Sequence, residues 1–412
     1  MNWAETTEQL AFREEVRGFV RRHFPTDYPP DPLAEHSLEP EDVWGYDWPA
    51  DRTSADPVRR AAARRWATAL AERGWIAPHW PVEYGGAGLS AMSELILREE
   101  LMRAGVPTVN GIGALLLGPT LIEHGTEQQR AAHLPGIARG ETTWAQGFSE
   151  PGAGSDLAGL STTAVRDATG SAFLVNGQKV WTSSAQHADW LFVLVRTDRA
   201  APRHKGLSFL LVDARSQGIT IRPIRDMRGA EPFAEIYFDD VRVPATNLVG
   251  AENRGWYVAM SALAFERAGI GATVKFERAV HDLIGYLRSP RGAGFRRADT
   301  AVPRHELAQR YIELRVQHNL ARLAACREDA GGVPEYEASI SQLRGAELHQ
   351  RLARTATSLF GPYAQLWQRE GAPMAAEFTH MRFDAIAATL LGGTTEIQRR
   401  VIATRGLGLP KS

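Results

Sequence analysis

Apolar residues recur at helical spacing toward both ends of the chain and at strand spacing in its middle. The first stretch, "MNWAETTEQLAFREEVRGFVRRHF", reads as an amphipathic helix and lacks the uninterrupted apolar segment of a secretory leader. In "SAMSELILREELMRAG", Leu95 and Met102 stand two helical turns apart and predict a core-facing side. Thr126, with Gln129 three residues on, carries the capping-box pattern that opens a helix. Leu307, Tyr311 and Leu314 fall at i, i+4 and i+7 and predict the buried side of a late helix. Pro29 to Pro57, rich in Pro and Asp, reads as an irregular excursion.

Between about 145 and 250 the pattern changes. "SAFLVNGQKVWTSS" sets Asn176-Gly177 between two β-prone runs, which predicts a hairpin. "ADWLFVLVRTD", "GLSFLLVDA", "GITIRPI" and "AEIYFDDVRVP" follow as short strands divided by turn residues. The expected fold class is α+β and multidomain: an N-terminal α-helical domain over 1–143, a central antiparallel β-barrel or sandwich domain over 144–250, and a C-terminal helical bundle over 251–412. Strands and helices do not alternate, which argues against a doubly wound nucleotide-binding sheet.

Composition narrows the partners. The chain has 412 residues and is 44% hydrophobic, enough for a large core and two or three domains. Its 47 basic and 48 acidic residues leave a net charge of −1, so neither nucleic acid nor an anionic membrane is an expected partner. No apolar run approaches a membrane span. The single cysteine, Cys326, rules out an internal disulfide and points to the cytoplasm.

Few motifs carry chemistry. "GAGLSA", Gly86 to Ala91, fits a dinucleotide fingerprint on paper, but "APHWPVEYG" before it holds two prolines and no strand, so a turn before a helix is expected. The twelve histidines form no ligand-spaced cluster, and no metal is expected. "QGFSEPGAGSDLAG", Gln146 to Gly159, stands where helices give way to strands. Gly152 and Gly154 let the backbone approach a ligand and Ser155 adds a hydroxyl, although a plain turn has the same composition. In "VWTSS", Trp181 beside Thr182 and Ser183 suits a flat polar heterocycle; a core tryptophan is the alternative.

Taken together these segments resemble the acyl-CoA dehydrogenase family over nearly the whole chain. "GWIAPHWPVEYGGAGLS" is similar to its helical-domain signature, "LGPTLIEHGTEQQRAAHLPGIARGETTWAQGFSEPGAGSDLAGL" to the approach to its first flavin segment, and "VNGQKVWTSSAQHADW" to its second. "FDDVRVPATNLVG" is similar to the exit from its β domain and "GGTTEIQR" to its C-terminal signature. The resemblance implies FAD as cofactor and α,β-dehydrogenation of an acyl thioester to the trans-2-enoyl thioester. A carboxylate takes the α-proton while the β-hydrogen leaves as hydride to flavin N5. It implies that Gln146, Phe148 and Ser149 edge the isoalloxazine, that Gly154 and Ser155 lie near the FAD pyrophosphate, with Ser155 also at the thioester, and that Trp181, Thr182 and Ser183 border the flavin. Thr394 and Glu396 are implied cofactor contacts, and Gly393 and Arg267 substrate contacts. The implied substrate carrier is CoA or an acyl carrier protein, and the implied electron acceptor is an electron-transfer flavoprotein.

The base departs from the commonest pattern. Many members place a glutamate before the Gly-Thr of the C-terminal signature; "LLGGTTE" has Gly392 there. A smaller group resembles "LAFERAG", which makes Glu266 the implied base and Arg267 the arginine after it. Set in "MSALAFERAGIGA", a partly desolvated Glu266 should titrate above the usual value of about 4.3, nearer what a weak carbon acid requires. An ordinary Glu-Arg pair on a helix is the alternative. The implied catalytic part of Gly392 is its backbone N–H, one donor to the thioester oxygen.

Two further departures bear on assembly. Arg291 and Phe295 in "RSPRGAGFRRADTAVPR" miss the spacing of the family's R-x-x-F-G segment, and "TSLFGPY" puts Ser358 and Pro362 where a glutamine and a glycine are common. Similar departures occur in bacterial members acting on bulky substrates, some of which pair two different chains. A homo-oligomer, dimer or tetramer, and a heteromer with a paralogue are both expected forms. The competing readings are a non-catalytic partner subunit and a flavin oxidase or monooxygenase on the same scaffold.

Overall fold

The computed structural model describes residues 4–30, 46–266, 271–295, 301–332, 336–368 and 370–410, with residues 264–266, 271 and 272 described by their backbone alone. Side-chain caps fix where the first helices begin. α1 (Thr7–His23) opens on a reciprocal capping box between Thr6 and Gln9. α2 (Trp48–Asp51) is a single turn capped by Asp47, and α3 (Pro57–Glu72) follows Asp56 with proline at its first position. α4 (Ala91–Ala104) is capped by Ser90, so the "GAGLSA" stretch is a turn before a helix, and α5 (Gly118–His124) follows. In α6 (Glu127–Ala138) both bonds of the expected Thr126–Gln129 box are made. Trp66 and Trp80 lie fully buried among these helices, as do Leu95 and Met102.

The middle of the chain forms one sheet of eight strands: β1 (Trp144–Gly147), β2 (Thr163–Arg166), β3 (Ala172–Ser183), β4 (Trp190–Arg196), β5 (Leu207–Asp213), β6 (Ile219–Ile224), β7 (Phe233–Pro244) and β8 (Leu248–Val249). The path runs β6-β7-β3-β2-β4-β5-β8, with β1 beside β4. Pairing is antiparallel except at β1·β4 and β2·β4, which are parallel. β4 and β5 are apolar at nearly every position and buried on both faces, which is why they read as continuous apolar runs.

Helices then resume with α7 (Gly255–Glu266), α8 (Gly271–Arg288), α9 (Ala301–Asp329), α10 (Glu337–Phe360), α11 (Glu377–Ala388) and α12 (Thr395–Val401). α8, α9, α10 and α11 share a core that includes Leu283, Leu314, Leu352 and Phe378. A buried charge cluster joins α9 to the first helices: Arg13 meets Glu99 at 2.5 Å and Glu100 at 2.7 Å, while Glu5 receives both Arg13 and Arg322.

Three expectations need correction. Asn176-Gly177 is not a hairpin turn; β3 runs straight through it with a register shift. Gly177 sits at φ +145°, and a Cβ there would stand 2.6 Å from Thr162 Oγ1. Asn176 is tied across to Asp240 by two bonds of 2.9 Å. The dipeptide is a bulge that lets strands approach closely, and the turn falls at 167–171, organised by the Asp167 carboxylate. Tyr311 is 40% exposed, against 2% for Leu314, and its ring lies beside His281. The segment from Pro29 to Pro57 contains α2, whose Trp48 is buried and donates to the Ala63 carbonyl at 3.2 Å; residues 31–45 lie outside the described residues.

Candidate active site

A buried ion pair holds the loop that follows β1. The Glu150 carboxylate accepts from Ser161 N and Oγ, both at 2.7 Å, from Thr162 N at 2.9 Å and from Lys179 Nζ at 2.8 Å. Lys179 Nζ also donates to the Phe148 carbonyl at 3.1 Å, and its side chain is fully buried. Burial alone would raise the Glu150 carboxyl; the ammonium and the surrounding donors outweigh it and hold it at about 2. Burial pushes Lys179 down to about 8, so it stays charged at neutral pH. Sequence reasoning passed over this pair because its members are far apart in the chain and neither belongs to a known spacing.

The loop's other members divide into two sets. Phe148 turns its ring into the core, edge-on to Phe192 and Phe209. Gln146 on β1 buries its Nε2 without a hydrogen-bond partner. Ser149 is half-buried, its carbonyl bonded to Val180 N at 3.0 Å. Gly154 and Ser155 are exposed, and a Cβ added at Gly154 would meet open space.

The end of β3 presents the aromatic face. Trp181 is 58% exposed and holds φ +60°, a left-handed backbone that a bulky residue rarely adopts. Its ring stands edge-on to Phe233 at 6.0 Å. Next to it Thr182 is 1% exposed, and its Oγ1 has no hydrogen-bond partner; Ser183 is half-buried.

α7 is placed by its first residue. Asn253 N donates to Ser208 Oγ at 2.8 Å, and Gly255 lies so close to β5 that a Cβ would come within 2.3 Å of the Ser208 carbonyl carbon. His124 Nε2 lies 2.9 Å from Ser261 Oγ and ties α7 to α5. Glu266 is the last residue of this helix, and its side chain lies outside the described residues, as does the whole of Arg267. At the far end of the chain, Gly392 and Gly393 turn at φ +60° and +88°. Gln398 Nε2, another residue sequence reasoning missed, donates to the Gly392 carbonyl at 2.7 Å. Thr394 caps α12 through Ile397 N, and Glu396 is exposed, held below the usual carboxylate range by its own backbone N–H and Thr394.

Comparison with known proteins decides the family. Three family models match: acyl-CoA dehydrogenase N-terminal domain over residues 50–141, middle domain over 145–241 and C-terminal domain over 253–407. A Mycobacterium tuberculosis protein named acyl-CoA dehydrogenase IpdE1 is 40% identical over 355 residues, covering 84% of this chain and 88% of its own. The chain belongs to the acyl-CoA dehydrogenase family. Two solved structures are similar throughout, each pair covered at 100% of both chains with 30% identity: the Tcur3481-Tcur3483 steroid ACAD, TM-score 0.84, and the ChsE4-ChsE5 complex from Mycobacterium tuberculosis, TM-score 0.82.

Acyl-CoA dehydrogenases are flavoprotein oxidoreductases, and the chain is an oxidoreductase of that kind with the family's three-part fold. The residues present fit a flat polar ring: the shielded Gln146 Nε2 and Thr182 Oγ1 lack hydrogen-bond partners of their own, and Trp181, next to Thr182 in the chain, is exposed. Among the described residues no group of side chains could hold a metal ion, and no helix is long and apolar enough to cross a membrane.

Proposed function

We propose that this acyl-CoA dehydrogenase binds FAD and desaturates an acyl-CoA between its α and β carbons, with Glu266 as the base. The observation that carries the reading is the strained, open Trp181 beside the partnerless hydroxyl of Thr182. A left-handed tryptophan costs backbone strain of about 1–3 kcal/mol, and such strain persists where a site is built. FAD, when bound, supplies the hydride acceptor. Trp181, Thr182, Ser183, Gln146 and Ser149 would hold its ring system, Gly154 and Ser155 its phosphates, and Thr394 and Glu396 a second side.

The chain's own residues do the rest. The exposed Gly154–Ser155 turn leaves room for the pantetheine arm, with Arg267 and Gly393 as further substrate contacts. The Gly392 N–H donates to no described residue, which leaves it available for the thioester oxygen as negative charge grows there. Glycine at this place removes a carboxylate and keeps that donor. Glu266, delivered by the helix that Gly255 seats against β5, takes the α-proton.

The substrate we infer is a bulky, ring-bearing acyl-CoA, on the likeness to a steroid dehydrogenase at 30% identity. The same likeness supports a heteromer, since both solved relatives carry two protein names, and it keeps the partner-subunit reading as the second one. We set domain limits at 143/144 and 250/251, place the protein in the cytoplasm, and name an electron-transfer flavoprotein as electron acceptor. The test is anaerobic titration of the purified chain with acyl-CoAs from short to steroid-sized, watching flavin absorbance. Yellow protein bleached by the large thioesters supports the reading. Colourless protein alone, yellow only with a paralogue, favours the partner subunit, and reduced flavin that reacts rapidly with oxygen favours an oxidase.

A further inference from the structure

One buried ion pair ties the central sheet to the C-terminal helices beside the candidate site. The turn between β6 and β7 is folded around Asp226, whose carboxylate accepts from Arg228 N at 2.8 Å, Ala230 N at 3.1 Å and Arg228 Nε at 2.8 Å. This fixes the direction of the Arg228 side chain, which is only 4% exposed, and leaves Nη1 2.5 Å from Asp384 Oδ1 on α11. Burial raises the Asp384 carboxyl and Arg228 opposes it.

Both ends of this bridge lead to segments assigned above to the proposed flavin site. After the turn, the Glu231 carbonyl accepts from Gln186 Nε2 at 2.8 Å and the Pro232 carbonyl from Ser184 N at 3.0 Å. Phe233 then packs edge-on to Trp181. On the other side, α11 runs into the segment that carries Gly392, which is fastened to α10 by Gln342 Nε2 on the Leu391 carbonyl at 3.2 Å. Apolar residues would hold two surfaces together as well as a buried ion pair does. Here the Asp226 carboxylate gives the guanidinium its direction through a hydrogen bond, and Asp384 Oδ1 meets Nη1 as a close ion pair outside hydrogen-bond geometry.

We propose that Arg228 and Asp384 are positioning residues for the dehydrogenation, setting how far the Trp181 strip stands from the Gly392 segment. The proposal rests on the flavin site proposed above.

The test uses the full-length holoenzyme in anaerobic stopped-flow with a saturating acyl-CoA that reduces the wild type, comparing Asp384→Asn, Asp384→Glu and Arg228→Lys. A displacement near 1 Å typically costs about 100-fold in rate. Asp384→Asn should therefore slow the limiting reduction rate at least about tenfold. The apparent Kd for thioester should stay within about twofold, and Asp384→Glu should recover most of the rate. Equal rates in all variants, or a loss that Asp384→Glu fails to recover, would overturn the proposal. Should Asp384→Asn not fold, the paired Arg228→Met and Asp384→Leu change replaces it. A wild-type rate there, or failure of that chain to fold as well, assigns the pair to stability and overturns positioning. Hydrogen exchange needs no flavin: in Asp384→Asn the amides of 226–233 and of 389–395 should both exchange faster, and no change in either segment overturns the link. A wild-type chain that binds no flavin refutes the reading of the site while leaving the exchange result to decide the pair.

Discussion

Replacing Glu150 by glutamine tests what holds the loop of the candidate site. The change removes the counter-charge of a fully buried ammonium and weakens the acceptor for Ser161 N and Thr162 N. Holding the carboxyl at about 2 instead of 4.5 is worth about 3 kcal/mol at neutral pH. Breaking one side of a buried pair typically costs about 3–5 kcal/mol, the same range. The folded value lies below the unfolded one, so this stability is complete above about pH 4.5 and is lost as pH falls toward 2. Amide exchange at Ser161 and Thr162 reads it locally, without assuming that a chain of several domains unfolds in one step. Protection of both amides should fall by about 100-fold or more in Glu150→Gln. In the wild type it should decline as the solution is acidified through that window, after correction for intrinsic exchange. A loss of protection below about fivefold, roughly 1 kcal/mol, would refute the argument.

Two further outcomes follow from the same geometry. Trp181→Ala should raise the dissociation constant for FAD by about 5- to 30-fold, the loss of an aromatic face worth on the order of 1–2 kcal/mol; equilibrium dialysis with unchanged affinity would contradict the stacking role. Gly255→Ala places a methyl group within 2.3 Å of the β5 backbone and must displace α7. Flavin reduction by acyl-CoA should slow by about tenfold or more with FAD content unchanged, and a wild-type rate would show that Glu266 does not depend on this contact.

Elements whose cause is local were legible in the sequence. Thr126 and Gln129 announced α6, and the apolar runs of β4 and β5 announced buried strands, because caps and periodicity act within a few residues. What failed depends on partners distant in the chain. Asn176-Gly177 carries the composition of a hairpin, yet the approach of Thr162 and the grip of Asp240 make it a bulge. β1, β2 and β8 are too short to show a period and exist because longer neighbours pair with them. The edge-on packing of the Phe148 ring against Phe192 and Phe209 is likewise set by residues more than forty positions away. The pairs Glu150–Lys179 and Arg228–Asp384 join residues that no spacing rule connects. Trp181 is the reverse case: the sequence named it, and the backbone added the strain that marks it.

Single-turnover reduction of the bound flavin by an accepted acyl-CoA, compared between wild type and Glu266→Gln under anaerobic conditions, bears most directly on the central claim. With Glu266 as base, the variant stays yellow and binds thioester, but its flavin is not reduced over a time many wild-type turnovers long. Reduction at a rate near that of the wild type would show that another group takes the α-proton.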